Sequence, residues 1–200
     1  MNSQNDSALK DLFENAREQK ILNFKKILKS NAITDINQPF SFKYKDYNQT
    51  LLIHILKFFI THDKGQLPKY MKEMILLILE KGADVNIHEQ EYHILRDHSY
   101  WTRGDWEGNT PLILACKFKD YDIVEAILKK STYANYPNNN SITPLHHAAR
   151  YGTSEIIELL LKNDNNFYGP SSSDVDFLVN IINCKDTVHE KTPLHFACYN

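Results

Sequence analysis

The chain has 200 residues, 42% hydrophobic and 24% charged, with a formal net charge of −2 at pH 7. That much apolar material suits a packed domain and excludes overall disorder. A near-neutral balance without long runs of one sign excludes the basic face that generic nucleic-acid binding needs.

In chain order, the polar start Met1-Asn2-Ser3-Gln4-Asn5-Asp6 lacks the basic and apolar regions of a secretory signal. From Asp6 to Ser30 apolar residues recur at helical spacing: Leu9, Leu12, Phe13 and Ala16, then Ile21, Phe24, Ile27 and Leu28. The spacing predicts two amphipathic helices, the first capped by Ser7 or Asp6. The acidic residues Asp11, Glu14 and Glu18 on this segment argue against a membrane-surface helix. The longest apolar stretches, near Met74–Leu79, are far too short to span a membrane. Further on, Thr-Pro-Leu-Ile stands at Thr110–Ile113 and Thr-Pro-Leu-His at Thr143–His146 and again at Thr192–His195. The step from Thr110 to Thr143 is 33 residues.

These residues carry a family resemblance. Thr143-Pro-Leu-His-His-Ala-Ala-Arg-Tyr-Gly152 with Glu155–Lys162 resembles a complete ankyrin repeat, and Thr110–Cys116 with Asp122–Lys129 resembles a second. Glu80-Lys-Gly-Ala-Asp-Val-Asn86 resembles a repeat ending, and counting back from it gives a degenerate first repeat at Thr50-Leu51-Leu52. The resemblance implies an all-α ankyrin-repeat solenoid of helix-turn-helix units, each a β-turn followed by two helices, with an N-terminal helical cap and an incomplete C-terminal unit. Its divisions are a capping repeat at 1–43 and repeats at about 44–86, 105–135, 138–183 and, in part, 184–200. Each position has a physical reason. Thr caps the first helix, and Pro suits the first helical position because its missing N–H costs nothing there. Gly82 and Gly152 suit a left-handed residue just past a helix end, where Phe59 and Lys119 stand in the other repeats. The last motif leaves one helix without its partner, so the natural protein is expected to continue past Asn200.

Departures from the period mark inserts. The step from Thr50 to Thr110 is 60 residues and that from Thr143 to Thr192 is 49. The excess falls near 61–70, 87–107 and 163–177. The last of these is rich in Asn, Gly, Pro and Ser and is expected to be a surface loop. The middle one holds both tryptophans, with Tyr100, Trp101, Arg103 and Trp106 close together. Tyr, Trp and Arg are enriched in binding hot spots, so this insert either meets a partner or folds back on its own protein.

The resemblance implies a protein-interaction module whose partner lies on the concave surface of turn tips and first helices. Carried over, its contact positions include Tyr47, Lys57 and Phe58 in the first repeat and Lys117 and Phe118 beside Trp106 in the second. Arg150 and Tyr151 represent the third, and His189 and Tyr199 the last. A cation followed by an aromatic thus recurs as Lys57-Phe58, Lys117-Phe118 and Arg150-Tyr151. Such a stripe suits a segment with acidic and apolar groups, or else its aromatics pack on neighbouring helices.

No enzyme is expected in this segment: no phosphate loop, nucleophile elbow or kinase motif occurs. Of the nine histidines, His88, His93 and His98 lie in or beside the aromatic insert with no cysteine among them, and no metal or other cofactor is expected. Cys116 and Cys198 occupy small packing positions and read as buried hydrophobes, and three widely spaced cysteines suggest a reducing, cytoplasmic compartment. A monomer binding another protein, without nucleic acid or membrane insertion, is the resulting expectation. Abundant Lys, Asn and Ile match AT-rich codons and suggest a host-directed effector of an intracellular microbe. The alternative is the targeting region of a larger multidomain enzyme.

Overall fold

The computed structural model describes residues 3–42, 45–62, 67–89, 108–132, 134–163 and 181–198. The chain forms two compact units. The first comprises residues up to Asp84 with Glu89 and Gly108, and the second Val85–His88 and the residues from Asn109 onward.

The first unit opens with α1 (Ser3–Arg17) and α2 (Ile21–Lys29), joined through Gln19 in the left-handed conformation (φ 60°). The helical periodicity is realised, since Leu9, Leu12 and Phe24 are completely buried. Neither Ser7 nor Asp6 caps the first helix, which already runs at Ser3. Asp6 instead lies within it and pairs with Lys10 one turn on at 2.7 Å. The polar residue that organises this end is Asn5, fully buried at the foot of α1. Its Oδ1 accepts from the Thr34 and Asp35 N–H groups at 2.8 and 3.2 Å, while Nδ2 donates to the Asp35 carbonyl at 2.9 Å and to Gln38 Oε1 at 2.8 Å. One side chain thereby satisfies the backbone of the following loop, which burial would otherwise leave unpaired.

A hairpin that helical periodicity could not announce comes next. Strand β1 (Phe40–Phe42) runs antiparallel to β2 (Lys45–Gln49), with Phe40 opposite Gln49 and Phe42 opposite Lys45 and an irregularity between. The all-α class holds with this ribbon added. Helix α3 (Leu51–His62) follows, its Leu51, Ile55, Leu56 and Phe59 at 0% exposure. Phe59 therefore does not mark a turn: the helix carries straight through it and buries its ring. Helix α4 (Lys69–Glu80) packs on α3 and α2. It ends at Gly82, whose φ of +95° lies where side chains are rarely found. Asn37 clasps that ending, accepting the Asp84 N–H at 2.7 Å and donating to the Gly82 carbonyl at 3.1 Å.

The second unit holds the best-preserved motifs. Helix α5 (Pro111–Ala115) continues as a 3₁₀ turn, Cys116–Phe118, and is followed by α6 (Tyr121–Leu128). Helices α7 (Pro144–Tyr151), α8 (Ser154–Lys162) and α9 (Pro193–Ala197) complete it. The first helices α5, α7 and α9 stack through α7, and the second helices α6 and α8 stack in their own row. Leu112, Ile113, Ala115, Ile123, Val124, Ile127, Leu145, Ala148, Ile156 and Leu160 fill the space between the rows at 3% exposure or less. Complete burial of each large aliphatic side chain stabilises by about 1.5–3 kcal/mol.

The glycine-type turns divide in two. Lys119 adopts the left-handed conformation (φ 59°) although it carries a side chain. Gly152, expected to be left-handed, is extended at φ −77° and ψ −174°. Its requirement is space: a Cβ there would lie 2.5 Å from the Ala148 carbonyl oxygen.

Candidate partner-binding surface

The surface of interest lies on the second unit, where the 3₁₀ turn packs on α7 and α7 on α9. Three turns position these helices. Thr110 begins α5 and accepts the Ile113 N–H on its hydroxyl at 3.2 Å. At Thr143 the direction differs, because His146 has replaced the Ile. The Thr143 N–H donates to His146 Nδ1 at 3.1 Å, so Nδ1 is the unprotonated nitrogen. The ring proton then sits on Nε2, 3.2 Å from the Lys191 carbonyl at the turn before α9. One neutral imidazole caps its own helix and ties it to the next motif. His195 repeats the first half of this arrangement, receiving the Thr192 N–H at 3.3 Å. Burial lowers the His146 pKa, opposed in part by its bond to the Lys191 carbonyl and by Asp186, in keeping with the neutral form that the hydrogen bonds require.

The turns before the motifs are closed by buried residues that the sequence reading passed over. Asn138 Oδ1 accepts the Asn140 and Ile142 N–H groups, each at 2.9 Å, and its Nδ2 donates to Asn109 Oδ1 at 2.9 Å. Asp186 does the same work one turn later, accepting from Val188, His189 and Lys191 at 2.9, 2.7 and 3.0 Å. Burial by itself would raise its carboxyl pKa. The bonds from His189, Lys191 and Val188 and the His189 charge outweigh that and hold it low. Ser141 and Glu190 complete these turns at φ 57° and 55°. An Asx residue a few positions before each motif Thr is the signal that would have found them.

On this scaffold the predicted residues separate. Lys117 is half-buried on the 3₁₀ turn, and Arg150 and Tyr151 are half-buried at the end of α7. The Arg150 guanidinium lies over the Tyr151 ring, 5.0 Å from its centroid, a cation–π arrangement. Phe118, expected to line the groove, is buried at 4% exposure. The 3₁₀ turn packs against α7 and puts this ring into the core, so its share of the stripe is corrected. His189 is exposed at the turn tip, 3.9 Å from Asp186.

Beneath Arg150 and Tyr151 lies His147, which the motif does not use. It is 6% exposed, its ring stacks on Tyr151 (6.0 Å, 14°), and Phe196 of α9 meets its edge at 6.5 Å. Neither ring nitrogen has a hydrogen-bond partner or reaches solvent. Burial, then the charges of Lys117, His146 and Arg150, push its pKa well below the usual histidine value.

In the first unit, Lys57 pairs with the buried carboxylate of Glu89 at 2.6 Å. Phe58 is half-buried against Phe13 of α1 (5.9 Å, edge-on) with Arg17 5.8 Å from its centroid. Both groove positions of that repeat are thus engaged with their own protein, Phe58 with the cap. Tyr47 lies on β2. Its side chain, and all of Tyr100, Trp101, Arg103, Trp106 and Tyr199, fall outside the described residues, as do the inserts near 90–107 and 164–177.

Of the cysteines, Cys116 is buried with its thiol pushed up to about 12 by desolvation, the inert hydrophobe expected. Cys198 is exposed rather than buried, and on the same helix Leu194 is 71% exposed where its counterparts Leu112 and Leu145 are buried. Among the described residues no cluster of His, Cys, Asp and Glu could hold a metal ion, and no helix is long and apolar enough to cross a membrane.

The family model for ankyrin repeats in three copies matches residues 67–171 and 133–200. Over 65 residues, 31% of this chain and 14% of the relative, the sequence is 38% identical to a candidate E3 ubiquitin-protein ligase, XBAT35, of Arabidopsis thaliana. It is 33% identical over 92 residues to an ankyrin repeat protein, FPV219, of Fowlpox virus, covering 45% of this chain and 18% of that one. It is 27% identical over 153 residues to the Target of rapamycin complex 2 subunit AVO2 of Saccharomyces cerevisiae, covering 72% of this chain and 35% of that one. The chain thus spans only a minor part of the curated relatives it matches. Motifs, stacked helix pairs and the family match agree: the chain belongs to the ankyrin-repeat family and is a protein–protein interaction module.

Proposed function

We propose that this module captures a partner protein through the Lys117–Arg150–Tyr151 face of its second unit, and that the partner segment carries acidic and apolar groups. The observation that supports this reading most directly is the Arg150 guanidinium laid over Tyr151, with the Lys117 charge acting, like that of Arg150, on the His147 ring on which Tyr151 stacks. A cation and an aromatic ring side by side suit a carboxylate flanked by apolar side chains. By the repeat pattern His189, exposed at the turn before the last motif, and Tyr199 are further candidate contacts. By the same repeat pattern Tyr47, Lys57, Phe58 and the aromatic insert with Tyr100, Trp101, Arg103 and Trp106 are candidate contacts of the first unit taken by itself, where Lys57 and Phe58 already meet Glu89 and Phe13. The module acts as a monomer, without cofactor, metal or catalytic group, in a reducing cytoplasmic compartment. The Fowlpox virus relative and the AT-rich composition support a host-directed effector role.

The similarity to XBAT35 favours a second reading, in which the segment delivers a larger enzyme to its target. The two readings share the binding face and differ in whether catalytic activity accompanies capture. Affinity capture from cell lysate with the wild-type chain and with the Lys117→Glu, Arg150→Glu variant, read by mass spectrometry, tests the shared part. Phe118 is unsuitable for that variant because it is core. A protein retained by the wild type and lost from the folded variant is expected, and retention by both would refute the face.

A further inference from the structure

The feature that the module's architecture leaves unexplained is His147. Buried polar groups are nearly always hydrogen-bonded, and one left without partners destabilises the fold. This ring has two such nitrogens. Its surroundings are distinctive too. From the 3₁₀ turn comes Lys117, and from α7 itself come His146, Arg150 and the Tyr151 phenol. From α9 comes the apolar edge of Phe196, while His195 on that helix is engaged with Thr192. Helix α5 offers only apolar side chains, and the Glu155 and Glu158 carboxylates of α8 are exposed. Burial above all holds His147 neutral, and the charged side chains that act on it, Lys117 and Arg150, are basic and push the same way.

We infer that His147 is a proton-coupled receptor for an acidic side chain of the partner: a carboxylate docking between Lys117 and Arg150 draws a proton onto the imidazole and accepts its hydrogen bond. The inference rests on the binding face proposed above. The proton comes from solvent, no covalent bond changes, and the site becomes a cation–carboxylate pair with one more charge-assisted bond. Tyr151, half-exposed and stacked on the imidazole, is the cover that moves to admit the carboxylate. In the free protein the charged ring faces desolvation and neighbouring cations; the arriving anion offsets both. Capture then takes up a proton, and affinity rises as pH falls through the range in which the bound form, but not the free form, is protonated.

The test uses the full chain and a fluorescein-labelled octapeptide of alternating Glu and Leu, followed by anisotropy at pH 7.5 and 5.5, with a Gln–Leu peptide as control. Binding about tenfold tighter at pH 5.5 is expected, the effect of the carboxylate returning the bound imidazole to the ordinary histidine value of about 6.5 while the free ring stays neutral. His147→Leu removes the orphan nitrogens while keeping the volume. It should melt higher than wild type yet bind more weakly and lose the pH dependence, a pairing that a purely structural histidine does not produce. Equal wild-type affinity at the two pH values, or a pH dependence that survives in His147→Leu, overturns the inference and leaves the binding face standing. No binding at either pH overturns both.

Discussion

Gly152→Ala is the sharpest probe of the turn that closes α7 before α8. The residue has ordinary extended dihedrals, so an alanine there meets no intrinsic backbone penalty. What it meets is the Ala148 carbonyl oxygen at 2.5 Å, with the Ala148 Cα and carbonyl carbon at 3.0 and 3.1 Å. These are backbone atoms, and the oxygen already takes the Gly152 N–H at 2.7 Å. The clash is relieved only by stretching that bond and tilting the end of α7. Overpacking of this kind costs about 1–3 kcal/mol, and the stiffer unfolded chain returns about 0.4–1 kcal/mol. A net loss of roughly 1–2 kcal/mol shifts the melting midpoint of a chain this size down by about 2–8 °C. Thermal unfolding followed by circular dichroism measures it. Gly82→Ala is the control of opposite kind, having open space for a Cβ but a φ of +95°; its penalty of about 1–2 kcal/mol is conformational. If Gly152→Ala melts at or above the wild-type temperature, the steric account of the α7–α8 turn is wrong.

Two further outcomes follow from the titratable groups. His146 and His147 have folded pKa values below the ordinary 6.5, so the unfolded chain takes up their protons first. The stability they contribute is complete above pH 6.5 and is lost as pH falls below it, and Asp186, held low, adds a second loss below pH 3.8; urea midpoints should hold near pH 7.5 and fall from about pH 6.5 to 5, and a flat profile throughout would contradict the neutral assignments. The cysteines should differ in reactivity. Exposed Cys198 should react with a disulfide reagent in the native protein, whereas Cys116, with its pKa near 12 and full burial, should react only on unfolding, as peptide mapping of the labelled sites would show.

Much of the architecture was legible because repeats concentrate their signal. A Thr-Pro-Leu motif fixes the start of a helix, and the period then places its partner. What escaped lies where local rules compete with context. The hairpin Phe40–Gln49 was signalled by a short period-two alternation, Phe40, Phe42 and Tyr44 set between Ser41, Lys43 and Lys45, which the helical repeat pattern masked. Gly152 looked like a residue needed for its φ and is needed for its lack of a Cβ. The groove stripe failed where exposure was assumed: Phe118 sits at the same repeat position as Tyr151, but the 3₁₀ turn rotates its ring into the core. Lys57 was legible as a groove cation, yet nothing nearby in sequence tells that Glu89 binds it. His147 stood in plain view beside the motif histidine; its lack of hydrogen-bond partners becomes visible only in three dimensions.

The central claim is that the Lys117–Arg150–Tyr151 face binds an acidic, apolar segment of another protein. Anisotropy titration of the Glu–Leu octapeptide into wild type and Lys117→Glu, Arg150→Glu protein at pH 7, with melting curves recorded on both, tests it most directly. Reversing two charges at the site should weaken binding at least about tenfold, with half-buried side chains of this kind leaving the melting temperature nearly unchanged. Equal affinity in the two proteins would contradict the account.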